Sequence, residues 1–252
     1  MKLNNIIAIG LFAISCSTLN QEKNNNLKEF NNFLGQDKAN VLNSAVESFD
    51  QFLKTNFPGD ESKRTEAFLE HLQENFEPDS TWNLPTKRNK KIISEFESSG
   101  LRKEVWTYGY EEYQPHYDIY EILTPEVQDT STQVIGELDL DLIEEEIIPI
   151  SNIDSVEIER HQKEMDERIR NSLHFNSYGQ YLYALAKYNL SDTTIQGYVE
   201  AKLAARNIDP SLIASGLLSQ EIDFEDPFIK RILVADFYYW IMNWDIERKE
   251  KK

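Results

Sequence analysis

Three features of the sequence carry side chains that can do chemistry or hold a ligand. The first is a thiol. Cys16 is the single cysteine in 252 residues, and it stands where the apolar run "IIAIGLFAIS" gives way to the polar "STLNQEKNNN". The second is an aromatic segment, with Trp106, Tyr108, Tyr110, Tyr113, Tyr117 and Tyr120. Rings with polar tips can line a groove for sugar rings or peptide side chains. They can equally cover a helical core with their hydroxyls reaching water. The third is Asp236. At about 100° per residue it falls inside the apolar stripe of Ile229, Ile232, Leu233, Phe237, Trp240, Ile241 and Trp244. A carboxylate there must be paired or hydrogen-bonded. It is either a structural acid, facing an arginine or a helix N-terminus, or a functional acid in a cavity.

Other catalytic patterns fail on spacing. Ser215 lies in "IASGL", with Ile213 and Leu217 where a nucleophile elbow needs glycines. No glycine-rich phosphate loop and no H-E-x-x-H occurs. His71, His116, His161 and His174 are scattered. The acidic run Glu137, Asp139, Asp141, Glu144, Glu145 and Glu146 lacks the glycine and ligand spacing of an EF-hand, and reads as a solvated face. No metal and no cofactor is expected. The formal charge of -18 repels phosphate backbones and argues against nucleic acid as a partner.

Lys2 and the uncharged run from Ile6 to Ser15 have the pattern of an export signal. The run is too short to cross a bilayer as a helix, which takes ~20 residues. "FAISC", residues 12–16, resembles the lipobox of bacterial lipoproteins, departing from it in having Ala13 where leucine is commonest. The resemblance covers residues 1–16 only. It implies cleavage before Cys16 and a thioether to diacylglycerol, with two or three acyl chains at the mature end. More than one chain makes anchoring stable. An ordinary cut after Ser15 would instead leave a free thiol in an oxidising compartment. By the same analogy, Ser17 in place of aspartate favours the outer over the inner membrane. The expected organisation is a signal peptide over 1–15, the lipidated Cys16 with a polar tether over 16–33, and one helical domain over 34–252. The expected partners are the membrane, through the anchor, and another envelope protein or a glycan.

Hydrophobic periodicity places helices at about 38–56, after Ser62, from Thr86 to Gly100, and over "SVEIERHQKEMDERIRNSL". Further helices are expected at 177–188, 191–206, 210–218 and 228–248, with Ser177, Ser191, Asp209 and Asp226 as N-caps. Residues 101–160 carry mixed helix and strand signals. The expected fold is mostly α, an irregular helical bundle or a stack of helical hairpins. Binding or assembly at the cell envelope is the expected role. A glycan or peptide receptor using the aromatic segment is the alternative, and a carboxylate-based hydrolase comes third.

Overall fold

A computed structural model describes residues 21–75, 78–114, 117–123 and 155–251. The expected signal peptide, Cys16, His116 and the acidic run 137–146 lie outside the described residues. The architecture is an irregular helical bundle with one two-stranded sheet among the described residues.

The described part of the expected tether, residues 21–33, is helical. The helix covers residues 21–34 (α1), and Phe30 and Leu34 are buried in the core. Their spacing, with Leu27 also packed on the core, makes a narrow apolar stripe within an asparagine-rich segment. Phe30 meets Tyr181 and Phe228 edge-on, at 6.1 and 5.5 Å between ring centroids. Gly35 alone separates α1 from α2 (Gln36–Asn56).

In α2 the expected face is buried, including Leu42, Ala45, Phe49, Phe52 and Leu53. α3 (Glu61–Glu74) starts earlier than expected, because the Asp60 carboxylate accepts from the Lys63 amide at 3.1 Å. Thr86 opens α4 (Thr86–Ser98) as its first residue, not its cap, and its hydroxyl donates to Asp245 Oδ2 at 2.6 Å. Gly100 follows α4 with φ 77°, a left-handed conformation that glycine adopts at no steric cost.

In the described part of the ambiguous middle, up to residue 123, the chain forms short pieces: α5 (Leu101–Val105), β1 (Trp106–Tyr108) and α6 (Tyr120–Leu123). After α7 (Ser155–Asn171), β2 (Leu173–Phe175) pairs antiparallel with β1, setting Trp106 opposite Phe175 and Tyr108 opposite Leu173. α8 (Gln180–Lys187) begins after Gly179, not Ser177, and α9 (Thr193–Ala204) is capped by Asp192, not Ser191. Asp209 and Asp226 do cap α10 (Pro210–Leu218) and α11 (Pro227–Leu233), each with proline in the first turn.

The last helix is continuous from α11 through a π-helical turn (Val234–Tyr238) into α12 (Tyr239–Glu250). It is buried nearly all round, as a helix apolar on every side should be. Phe52 packs against Trp82 and Tyr238, at 5.2 and 5.4 Å between centroids.

The burial of Phe30 makes α1 part of the folded body. Phe30→Ala should cost ~3–5 kcal/mol in chemical unfolding. A loss below about 1 kcal/mol, the ordinary size of a point-mutant effect, would return α1 to the status of a tether.

Candidate functional site

The aromatic segment is held by charge. Arg102, 3% exposed, donates to Glu97 at 2.8 Å, to the Trp106 carbonyl at 2.9 Å, and to both carboxylate oxygens of Glu111 at 2.5 and 2.6 Å. Such a two-point guanidinium–carboxylate contact fixes orientation as well as adding energy. Glu111 also accepts from the Tyr108 amide at 2.9 Å. These hydrogen bonds, Arg102's first, hold the Glu111 carboxyl down at about 2. Glu104 makes a second hub. Its carboxylate accepts from Lys38 at 2.6 Å, and from Tyr113 Oη and the Gln180 amide at 2.9 Å each. Burial opposes its ionisation, but these donors outweigh it and keep the carboxyl below its usual range. A Cβ on Gly179 would stand 2.0 Å from the Glu104 carbonyl oxygen, so only glycine lets α8 begin this close to α5.

The six aromatics therefore do not share one groove. Trp106 Nε1 donates to the Ala235 carbonyl at 3.0 Å, and its ring packs edge-on against Phe175 at 5.4 Å. Tyr108 and Tyr110 stack on each other at 5.2 Å. Tyr113 is tied to Glu104. Tyr117 and Tyr120 alone of the six reach a cleft of about 420 Å³, which Ile119, Tyr178 and Leu203 also line, with Asp118 and Ser177 as polar members. Tyr120 is 55% exposed and Tyr178 41%. Tyr178 is steadied by Arg206, whose guanidinium lies 5.1 Å from the ring centroid and donates to the hydroxyl at 3.2 Å. Tyr117 is backed by Phe33 and Tyr183, at 5.1 and 4.7 Å. Phenol faces, one carboxylate and an adjacent guanidinium can stack on and hydrogen-bond a flat, polar ligand.

Behind this cleft lies the residue singled out by the helical stripe. Asp236 sits in the π turn, its side chain 2% exposed, with Lys202 Nζ 2.7 Å from Oδ1. The partner is a lysine on α9, not an arginine or a helix N-terminus. The ammonium lies 4.4 Å from the Phe175 ring centroid and 5.7 Å from that of Tyr198, a cation–π setting. The contact is an ion pair without the alignment of a good hydrogen bond. Neither Asp236 oxygen, nor the Tyr181 or Tyr198 hydroxyl, has a well-aligned partner among the described residues. Burial first, then the Asp236 charge, pushes both tyrosines well above their ordinary range. Lys202 also meets the cleft through its backbone. The Lys202 carbonyl accepts from Ser177 Oγ at 2.8 Å, and the next residue, Leu203, is in the cleft wall.

Lys202 and Tyr178 are functional candidates that the sequence reading passed over. Lys202 was detectable, because it continues the buried stripe Ile195, Tyr198, Val199 at the next helical step. Tyr178 is brought to Tyr117 and Tyr120 only by the tertiary fold. His71 packs on Trp82 at 4.8 Å, and His174 bonds Asn207 and Ser172. Among the described residues no group of three His, Cys, Asp or Glu is arranged to hold a metal ion. Comparison with known proteins finds no matching family model, no matching curated protein and no matching solved structure.

Two outcomes follow from this geometry. Removing one partner strands the other charge in the core, so Asp236→Ala should cost ~3–5 kcal/mol in urea unfolding. Asp236→Asn should cost less, and Lys202→Met with Asp236→Leu should recover most of the loss. Equal losses in Asp236→Ala and the double variant would show that the charges are not coupled. For Glu111 the folded carboxyl is depressed from 4.5 to about 2. Its stabilisation is therefore present above pH 4.5 and is lost as pH falls through about 2. Urea midpoints measured down that window should fall more steeply for the wild type than for Glu111→Gln, and parallel curves would dismiss the Arg102–Glu111 clamp.

Proposed function

We propose that the protein is exported, lipid-anchored through Cys16 to a bacterial membrane, the outer in preference to the inner, and acts by binding at the cell envelope. The cleft of Tyr117, Tyr120 and Tyr178 is the proposed ligand seat. The observation that carries the binding reading is the pairing of two half-open tyrosine faces, Tyr120 and Tyr178, across a cleft of about 420 Å³. Such open phenols, beside Tyr117 with its backing of Phe33 and Tyr183, suit a glycan or a peptide. Among the described residues no helix is long and apolar enough to cross a membrane. On this reading the membrane is reached through Cys16, and the lipobox-like "FAISC" is what supports it. The hydrolase alternative gains nothing from Asp236, which is held against Lys202 inside the core.

Metabolic labelling with a tagged fatty acid tests the anchor. The wild type should take up label and Cys16→Ala should not; equal label on both would sink the lipoprotein reading. The seat is tested by screening the folded body against defined oligosaccharides and peptides. Tyr120→Ala and Tyr178→Ala should each weaken a bound ligand about two- to tenfold, at ~0.5–1.5 kcal/mol per aromatic contact. A ligand indifferent to both substitutions binds elsewhere.

A further inference from the structure

We propose that one end of the fold, formed by the first turn of α1 and the α8–α9 turn, lies against the lipid surface with Leu190 at the bilayer interface. The inference rests on the Cys16 anchor and adds an orientation to it. Five residue steps separate Cys16 from residue 21, where the described helix begins. Whatever path they take, their reach is at most about 18 Å. The helix they lead to is not free to swing. Lys23 Nζ is 2.5 Å from Asp226 Oδ2, and Asp226 is itself the buried cap of α11. Glu22, Lys23 and Asn26 share a cleft of about 200 Å³ with Asn189, Ser191 and Asp192 of the α8–α9 turn. An anchor on so short a leash, joined to a helix so fixed, keeps this end of the body at the membrane.

Leu190 stands in that turn, between two residues lining the cleft, and is 62% exposed. Lys23 beside it is surrounded by Asp192, Asp223 and Asp226, so its charge is offset within the protein and the contact at Leu190 is an apolar one. The apolar side chain and the acyl chains share one phase; the acidic remainder of the surface belongs in water. The last helix provides a distant reference. From Asp226 it runs unbroken to Glu250, about 35 Å along its axis at ~1.5 Å per residue.

The test uses the full lipidated protein in phosphatidylcholine vesicles. A nitroxide is placed at Leu190→Cys or at Glu250→Cys, and its collisions with oxygen and with a water-soluble nickel chelate are compared. Acylated Cys16 has no thiol, so the wild type is the unlabelled blank. The oxygen-to-nickel ratio at position 190 should be several-fold above that at 250. It should fall to the value at 250 when Cys16→Ala leaves the protein in solution. If the wild type floats with vesicles and takes no label, yet the two sites give equal ratios, the orientation is wrong and the anchor stands. If the wild type takes label at Cys16 and stays in solution, the anchor fails and the orientation fails with it.

Discussion

The ion pair between Lys202 and Asp236 is the constraint around which the second half of the chain is arranged. Two opposite charges at 2.7 Å, both almost wholly removed from water, are tolerable only while they face each other. That condition ties α9 to the π turn of the last helix. The π turn keeps Val234 to Tyr238 buried on every side while Asp236 points at Lys202. Phe175 brings β2 over the ammonium, and Trp106 brings β1 to the Ala235 carbonyl next to the acid. The two-stranded sheet thus packs directly over the pair. A buried pair of this kind is weak evidence for stability, since an apolar replacement of both partners is often no worse. Its effect is positional: it decides which face of α9 turns inward, and with it where Leu203 meets the cleft.

A second set of charges governs the aromatic segment. Six rings in sequence suggested a common surface, and the structure distributes them among four tasks. Arg102 and Glu104 do the sorting. One clamps the strand carrying Trp106 and Tyr108, and the other takes the Tyr113 hydroxyl and the α8 N-terminus on one carboxylate. Sequence spacing of aromatics says how many rings are near each other along the chain. It does not say which of them a buried guanidinium or carboxylate will claim.

What was legible in the sequence was whatever depends on near neighbours. The apolar face of α2, the Asp209 and Asp226 caps with their prolines, and the all-round burial of the last helix are properties of windows shorter than twenty residues. Asp236 was legible as a buried acid by the same periodicity. The expected partner, an arginine or a helix N-terminus, is instead Lys202, which intrudes on the α9 stripe as plainly as Asp236 does on its own. Two opposite charges, each intruding on an apolar stripe, form a signal that needs both helices to be considered together. The cap assignments at Ser177 and Ser191 failed because aspartate and glycine close by were better placed, and Ser177 is used instead on the Lys202 carbonyl. α1 was missed for a plainer reason. Three asparagines in a row and flanking charges mask a stripe only three or four residues deep.

The position of α1 bears on the order in which the chain can fold. Its contacts are among the most distant in the protein: Lys23 and Asp226 are separated by 203 positions. A chain made from its amino end at ~5–20 residues per second leaves α1 without this partner for about 10–40 s. Throughout that interval Phe30 and Leu34 have nothing of the last helix to pack against. A strongly apolar helix would find other company in that time, either another nascent chain or its own neighbours. Asparagine, glutamate and lysine on the remaining faces keep the waiting segment hydrated. The polar composition that concealed α1 as a structural element is thus suited to a helix that waits for a partner 203 positions further along the chain.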